Sequence, residues 1–148
     1  MRKLPSPHFT VVFDTVETNI GNGYNQYTGA FVVPVAGTYV FSFSITCWDH
    51  SRVGVDIMCN NDAIGSTTAD SELIQDVHVG ATTVVVTLNQ GDTCFLRTGT
   101  RLHSLGTLHS DYWSRSSFSG KFKALFCHFY NKIQIKFVCF FLNFLLFF

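Results

Sequence analysis

Residues 29–43 read Gly29-Ala-Phe31-Val-Val-Pro34-Val-Ala-Gly37-Thr-Tyr39-Val-Phe41-Ser-Phe43. From Tyr39 as far as Cys47, apolar side chains occupy every second position, and the positions between them are mostly small residues that carry a hydroxyl. This period of two places one face of a β-strand in a core. Pro34 lacks the amide that a central strand donates, and Gly37 suits a turn, so we predict that the strand begins only after Gly37.

A spaced series leads into this stretch: Phe13, Asn19, Tyr24, Phe31 and Gly37. Together with the sequence of residues 29–43, the series resembles the signature of the globular head of complement C1q and its relatives. The resemblance implies an all-β fold, a jelly-roll β-sandwich of antiparallel strands like that of tumour necrosis factor. It also implies a homotrimeric binding module and not an enzyme. Because the chain has no Gly-x-y collagen run, it resembles the family members that have a globular head without a collagen stalk, which are common in invertebrates and especially in molluscs.

Further short strands recur between turn signals, at the spacing of a sandwich. Residues 53–59 alternate, and the turn 60–62 leads into residues 63–67, which predicts a hairpin. Residues 82–88 are rich in β-branched side chains, and the turn 89–92 leads into residues 93–97, which predicts a second hairpin. Residues 113–120 resemble the start of the family's last strand. These matches define a C1q-like domain over residues 9–120.

Length and charge agree with one compact domain. A chain of 148 residues is long enough to bury a sizeable core. Residues 1–120 hold 6 Lys and Arg against 10 Asp and Glu, whereas residues 121–148 hold 4 Lys and no acid. Because the body of the chain is mildly acidic, nucleic acid is a poor partner.

Both ends depart from the family pattern. The family's head opens with an extra strand that pairs beside the last one, and here residues 1–8 are an atypical segment whose prolines oppose a ladder. We therefore expect the first strand to be missing or replaced. The Phe-rich tail, residues 121–148, carries 9 of the 16 phenylalanines. It fits a membrane anchor, an extra strand or helix on the domain, or sequence that is not under selection. We favour the last, and expect no membrane span, because the uninterrupted apolar part is shorter than the ~20 residues a span needs.

The compartment follows from the resemblance alone. Family members are mostly secreted, so we expect an extracellular protein, although residues 1–8 lack the apolar stretch of a signal peptide. Cys47 and Cys59 lie at the ends of strands that could be neighbours and could form a disulfide, whereas Cys94, Cys127 and Cys139 have no obvious partner. The odd number of cysteines favours buried free thiols over a disulfide framework.

Catalytic motifs are absent from the sequence: it has no nucleophile elbow, zinc-protease helix, phosphate loop or Cys-x-x-Cys. His103, His109 and Asp111 could form a metal or general-base cluster, but their spacing matches no standard ligand set. Ordinary loop positions explain them better. We therefore predict no enzyme activity and no required cofactor. Some relatives hold calcium near the trimer axis, and residues 70–76 offer hard oxygen ligands, but no ligand can be assigned.

Two loops carry the candidate binding residues, because a rigid sandwich presents function on its loops. Aromatic rings with adjacent polar groups suit sugar rings or a protein surface. The plainer interpretation places the two tryptophans at the edge of the core and the polar side chains in solvent. The candidates are Trp48, Asp49, His50 and Arg52 in the first loop, and Arg101, His109, Asp111 and Trp113 in the second.

The expected function is lectin-like recognition in innate immunity. A trimer would bind microbial polysaccharide or lipopolysaccharide through several weak contacts at once. The alternative is a cytokine-like or extracellular-matrix module that binds a protein partner.

Overall fold

The computed structural model describes residues 2–3, 8–99, 104–123 and 136–140, and all of their regular structure is strand. In chain order the strands are β1 Arg2–Lys3, β2 Thr10–Val11, β3 Thr15–Ile20, β4 Tyr24–Asn25, β5 Ala30–Val32, β6 Gly37–Trp48, β7 Arg52–Cys59, β8 Asp62–Asp70, β9 Val77–Leu88, β10 Thr93–Thr98, β11 Thr107–His109, β12 Ser117–Lys123 and β13 Lys136–Phe140. The fold is therefore the all-β class that the sequence predicts.

The first sheet is built around β6. In the order β1-β11-β6-β12-β13-β3, every neighbouring pair is antiparallel, and β9 runs along β6 as well. The register pairs Gly37 with Leu88 at one end of β6 and Trp48 with Val77 at the other. The predicted strand thus begins within one residue of the expected place, and it ends at Trp48.

The second sheet has the order β4-β5-β10-β7-β8, with β2 also paired to β10. The predicted hairpin over residues 53–67 is confirmed as β7 and β8. The second predicted hairpin is wrong, because β9 pairs with β6 in the first sheet while β10 pairs with β7 and β5 in the second. The turn between them, closed by Asp92 N–H donating to Asn89 O at 3.1 Å, carries the chain from one sheet to the other.

Aromatic side chains fill the space between the two sheets. Alternate residues of β6 point inward, and their rings contact those of β5 and of β12. The centroids of Phe41 and Phe118 lie 6.0 Å apart and those of Phe31 and Phe41 lie 5.6 Å apart. The fully buried rings are those of Phe13, Phe31, Tyr39, Phe41, Phe43 and Phe118. They form the core that holds the loops at both ends of the sandwich.

The chain ends take part in the first sheet. Arg2 and Lys3 pair with Leu108 and Thr107, so the N-terminal segment contributes a two-residue strand beside β11 and none beside β12, as expected for a first strand that is missing or replaced. The place beside β12, the last strand of the predicted domain, is taken by β13, which also pairs with β3. This strand corresponds to the extra-strand interpretation of the tail, whose other residues lie outside the described ranges.

The disulfide joins a different pair of cysteines from Cys47 and Cys59. Cys59 and Cys94 face each other across the β7–β10 pair and form the bond, whereas Cys47 is a buried free thiol whose sulfur lies 3.3 Å from Ser71 Oγ. The Cys47–Cys59 hypothesis is therefore wrong, because those strands belong to opposite sheets. Cys127 and the side chain of Cys139 are outside the description. Among the described residues there is no helix that could cross a membrane.

Candidate functional site

The two predicted loops lie together at one end of the sandwich. Arg52 and Leu105 exchange two backbone hydrogen bonds of 2.8 Å each, and Thr107 N–H donates to Ser51 Oγ at 3.3 Å. Gly106 permits this approach, since it has φ 87° and a Cβ there would collide with Ser51. The β6–β7 loop and the segment before β11 therefore form one continuous surface.

Two aromatic pairs mark this surface. Trp48, half-buried, meets the buried His109 ring edge to face, with centroids 5.3 Å apart. Tyr112 and Trp113 meet each other at 5.5 Å and are 80% and 89% exposed. Trp113 is thus not an edge-of-core residue, and the plainer interpretation is wrong for it. Trp48 does lie at the edge of the core.

Asp111 holds the exposed rings in place. Its Oδ1 accepts the backbone amides of Trp113 at 2.8 Å and Ser114 at 2.7 Å, and its Oδ2 lies 3.0 Å from His109 Nε2. The hydrogen bond from His109 lowers the pKa of the Asp111 carboxyl, and the two amides add to that effect. Nδ1 of His109 is buried and meets no hydrogen-bonding group of residues 8–99 and 104–123, so this histidine acts on the site through Nε2.

A buried serine ties the loop to the sheet. Ser116 Oγ donates to the carbonyl of His109 and accepts the amide of Thr46, both at 2.9 Å. Thr46 Oγ1 and Ser114 Oγ lie 3.0 Å apart. Residues 109–116 are therefore anchored on β6 at the point where that strand reaches Trp48, and no sequence pattern marks this role of Ser116.

The first loop faces a different neighbour. Asp49 and His50 have positive φ of 52° and 53°, and His50 Nδ1 lies 3.0 Å from the carbonyl oxygen of Glu72. Arg52 pairs with the Glu72 carboxylate at 2.6 Å. Glu72, whose residue type suggests a metal ligand, is instead a partner of Arg52, and their contact depends on the β7–β8 pairing, which no local sequence pattern predicts.

The predicted site residues thus fall into three groups. Trp48, His109, Asp111 and Trp113 belong to one connected cluster, which together with Tyr112 we name the aromatic rim. Asp49, His50 and Arg52 lie beside it in the same end loop. Arg101, like His103, falls outside the described residues. Whether the aromatic rim binds a ligand stays a prediction.

Each of the three carboxylates of residues 70–76 has one oxygen with a partner within the chain. Glu72 pairs with Arg52, Asp70 Oδ1 accepts the amide of Glu72 at 3.0 Å, and Asp76 Oδ1 accepts the amide of Val77 at 2.7 Å. In the part of the chain that is described, no three side chains of His, Cys, Asp or Glu are grouped around a common point. We assign no calcium ligand there.

Comparisons with known proteins identify a family and several relatives of this chain. The C1q domain family matches residues 2–122. Human "Complement C1q tumor necrosis factor-related protein 3" is 35% identical over 111 residues, which are 74% of this chain and 43% of that protein. Zebrafish (Danio rerio) "Caprin-2" is 32% identical over 111 residues, which are 74% of this chain and 12% of that protein. The chain thus spans less than half of these relatives.

A solved structure resembles the fold. The "Globular Domain of Zebrafish Complement 1qA protein" superposes with a TM-score of 0.51, covering 67% of this chain and 80% of that one, at 19% identity. At this identity the likeness concerns the fold alone.

Proposed function

The chain belongs to the C1q domain family, and we propose that it binds microbial surface glycans, lipopolysaccharide among them, as a multivalent module of innate immunity. Members of this family are non-enzymatic recognition and signalling modules. The function of this chain therefore lies in binding, and the proposal concerns the ligand that it binds.

The observation that carries the proposal is the aromatic rim. Tyr112 and Trp113 are 80% and 89% exposed, so neither ring is part of the buried core. An exposed ring covers the apolar face of a sugar, and neighbouring polar groups bond its hydroxyls. Asp111 accepts the backbone amide of Trp113, so the backbone that carries the ring is shaped before a ligand binds, which reduces the entropy cost of binding.

A homotrimer would supply the avidity that such shallow contacts need. C1q domains generally trimerise. In this chain the outward face of β9 is exposed and aliphatic, with Val77, Val79 and Val85 between 41% and 67% exposed. No Lys, Arg, Asp or Glu occurs in β9. An uncharged apolar strand face favours burial against another copy, and three linked sites convert weak binding into useful affinity for a repetitive surface.

An extracellular location fits the same proposal. The Cys59–Cys94 disulfide belongs to oxidising compartments, because cytosolic thiols are kept reduced. Calcium has no part in the proposal, so binding should persist in a chelator.

Binding to immobilised lipopolysaccharide tests the proposal. Protein whose trimeric mass has been verified by light scattering is passed over the surface, with and without free polysaccharide and with a calcium chelator. We expect saturable binding that free polysaccharide competes away and that chelation leaves unchanged. Absence of binding by the verified trimer would refute glycan recognition.

The second candidate is a protein partner. It is favoured by the match to a protein named tumor necrosis factor-related, and an exposed Tyr–Trp pair also suits a protein interface. Capture on microbial particles and capture on host tissue extract separate the two: enrichment by the host extract alone, abolished by Trp113→Ala, would favour the cytokine-like or extracellular-matrix function.

A further inference from the structure

A concave surface lies away from the aromatic rim. It is a cleft of about 290 Å³ between the turn after β3 and the loop after β4, close to the lower limit of ~300 Å³ for small-molecule pockets. The residues that matter for its chemistry are Asn19, Asn22, Tyr24, Asn25, Gln26 and Tyr27. None of the residues that line it carries a charge.

The cleft is at the opposite end of the sandwich. Ile20 pairs with Lys136, which pairs with Lys121, which pairs with Val40. Val40 lies near the start of β6 and Trp48 at its end, eight positions later, or about 26 Å along a strand. One sugar ring cannot contact both surfaces.

The walls of the cleft are held by internal hydrogen bonds. The side-chain Nδ2 of Asn19 donates to the backbone carbonyl of Tyr24 at 2.8 Å, and Oδ1 of Asn19 accepts the backbone N–H of Tyr24 at 3.1 Å. Asn25 Oδ1 accepts the amides of Tyr27 at 2.9 Å and Thr28 at 3.2 Å. Both loops are therefore shaped before any ligand arrives, which reduces the entropy that binding costs.

Three polar side chains around the cleft have unused hydrogen-bonding groups. The amides of Asn22 and Gln26 and the hydroxyl of Tyr27 make no hydrogen bond with any described residue. The Tyr27 side chain is 84% exposed, so its ring is also available for stacking. Amides offer both donors and acceptors, which matches vicinal hydroxyls that themselves donate and accept.

We infer that this cleft binds one neutral sugar ring, stacked on Tyr27 and hydrogen-bonded by Asn22 and Gln26. A neutral ligand follows from the uncharged lining, and a single ring follows from the volume. This inference goes beyond the proposed function, because it concerns a different surface and does not depend on what the aromatic rim binds.

The test is a titration of the full-length chain, followed through its backbone amide resonances by NMR. The probes are galactose, mannose and N-acetylglucosamine, each at low and at high salt. We expect at least one of them to shift resonances of residues 19–27, with an affinity that salt leaves unchanged, because ion screening acts only on charges. If no probe shifts the resonances of residues 19–27, whatever other resonances it shifts, the inference is wrong.

Matched variants assign the effect to the side chains. Tyr27→Ala should weaken the affinity about tenfold, and Gln26→Ala should weaken it several-fold. Leu73→Ala is the control, since Leu73 is a similarly exposed side chain, at 90% against 84%, and is part of neither the cleft nor the aromatic rim. Unaltered binding by Tyr27→Ala would overturn the inference. Binding of monosaccharide here and of lipopolysaccharide at the aromatic rim are separate readouts, so either can fail alone.

Discussion

His109 Nε2 lies 3.0 Å from Asp111 Oδ2, and this contact joins the buried edge of the core to the exposed Tyr112–Trp113 ring pair. On one side the His109 ring packs against Trp48. On the other, Asp111 holds the amide of Trp113. The position of the rings in solvent is therefore determined by the end of the central strand, and the loop need not find its shape when a ligand binds.

The titration of Asp111 should report this contact. Its pKa is lowered from the ordinary value of 3.8, so the hydrogen bond contributes stability that is present above 3.8 and is lost as the pH falls through the lower folded-state pKa. Carbon-detected NMR of the side-chain carboxyl should place the midpoint below 3.8. In His109→Gln the midpoint should rise towards 3.8. A wild-type midpoint at or above that value would contradict the account.

Removal of the Tyr24 hydroxyl should destabilise the fold. This buried hydroxyl accepts the amide of Phe13 at 3.0 Å and donates to its carbonyl at 3.2 Å. Tyr24→Phe deprives both buried groups of that partner, so we expect the free energy of unfolding to fall by about 1–3 kcal/mol. Denaturant unfolding measures the change. Tyr27→Phe is the control, because its exposed hydroxyl makes no hydrogen bond with the described residues; equal effects of the two changes would refute the assignment.

The disulfide should be detectable chemically and should stabilise the fold. Peptide mapping without reduction is expected to link Cys59 to Cys94. A double Cys59→Ser, Cys94→Ser variant should lose about 3–4 kcal/mol of unfolding free energy, given the loop that the bond closes. Cys47→Ala, which removes a buried free thiol, leaves that bond in place and serves as the comparison. A peptide that links Cys47 to Cys59 would show the pairing to be wrong.

The tail strand should be needed for stability. A chain that ends at Lys123 loses β13, which leaves β12 and β3 with unpaired edges. We expect its melting temperature to fall by about 5–10 °C, with aggregation visible in light scattering. A chain that ends at Phe140 keeps the strand and is the control. If both truncated chains melt like the full chain, the tail contributes nothing to the sheet.

The central strand shows what the sequence can predict. The alternation from Tyr39 to Cys47 appears as the buried face of β6, because period and burial are local properties of a strand. The turn at residues 89–92 was also found, but a turn does not specify which strands pair after it. The hairpin assignment therefore failed when β9 and β10 entered different sheets. The same reason explains the cysteines: Cys59 meets Cys94 only through the β7–β10 register.

The site was predictable by residue type but not by arrangement. Trp48, His109, Asp111 and Trp113 stand out in the sequence as aromatic and polar residues of loops. Their connection depends on Ser116, which binds the carbonyl of His109 and the amide of Thr46. Serine is common in loops, so nothing in the sequence marks this one. The neutral cleft was missed for a related reason, since its amides come from a turn that resembles any other.

The dissociation constant for immobilised lipopolysaccharide, compared between the wild-type trimer and Trp113→Ala, tests the central claim most directly. Trp113 is exposed, so its removal should leave the fold and the trimeric mass unchanged. We predict that Trp113→Ala binds at least about tenfold more weakly, while Leu73→Ala, which changes an exposed side chain of neither the aromatic rim nor the cleft, binds like wild type. Equal affinities of wild type and Trp113→Ala, at verified trimeric mass, would contradict glycan recognition by the aromatic rim.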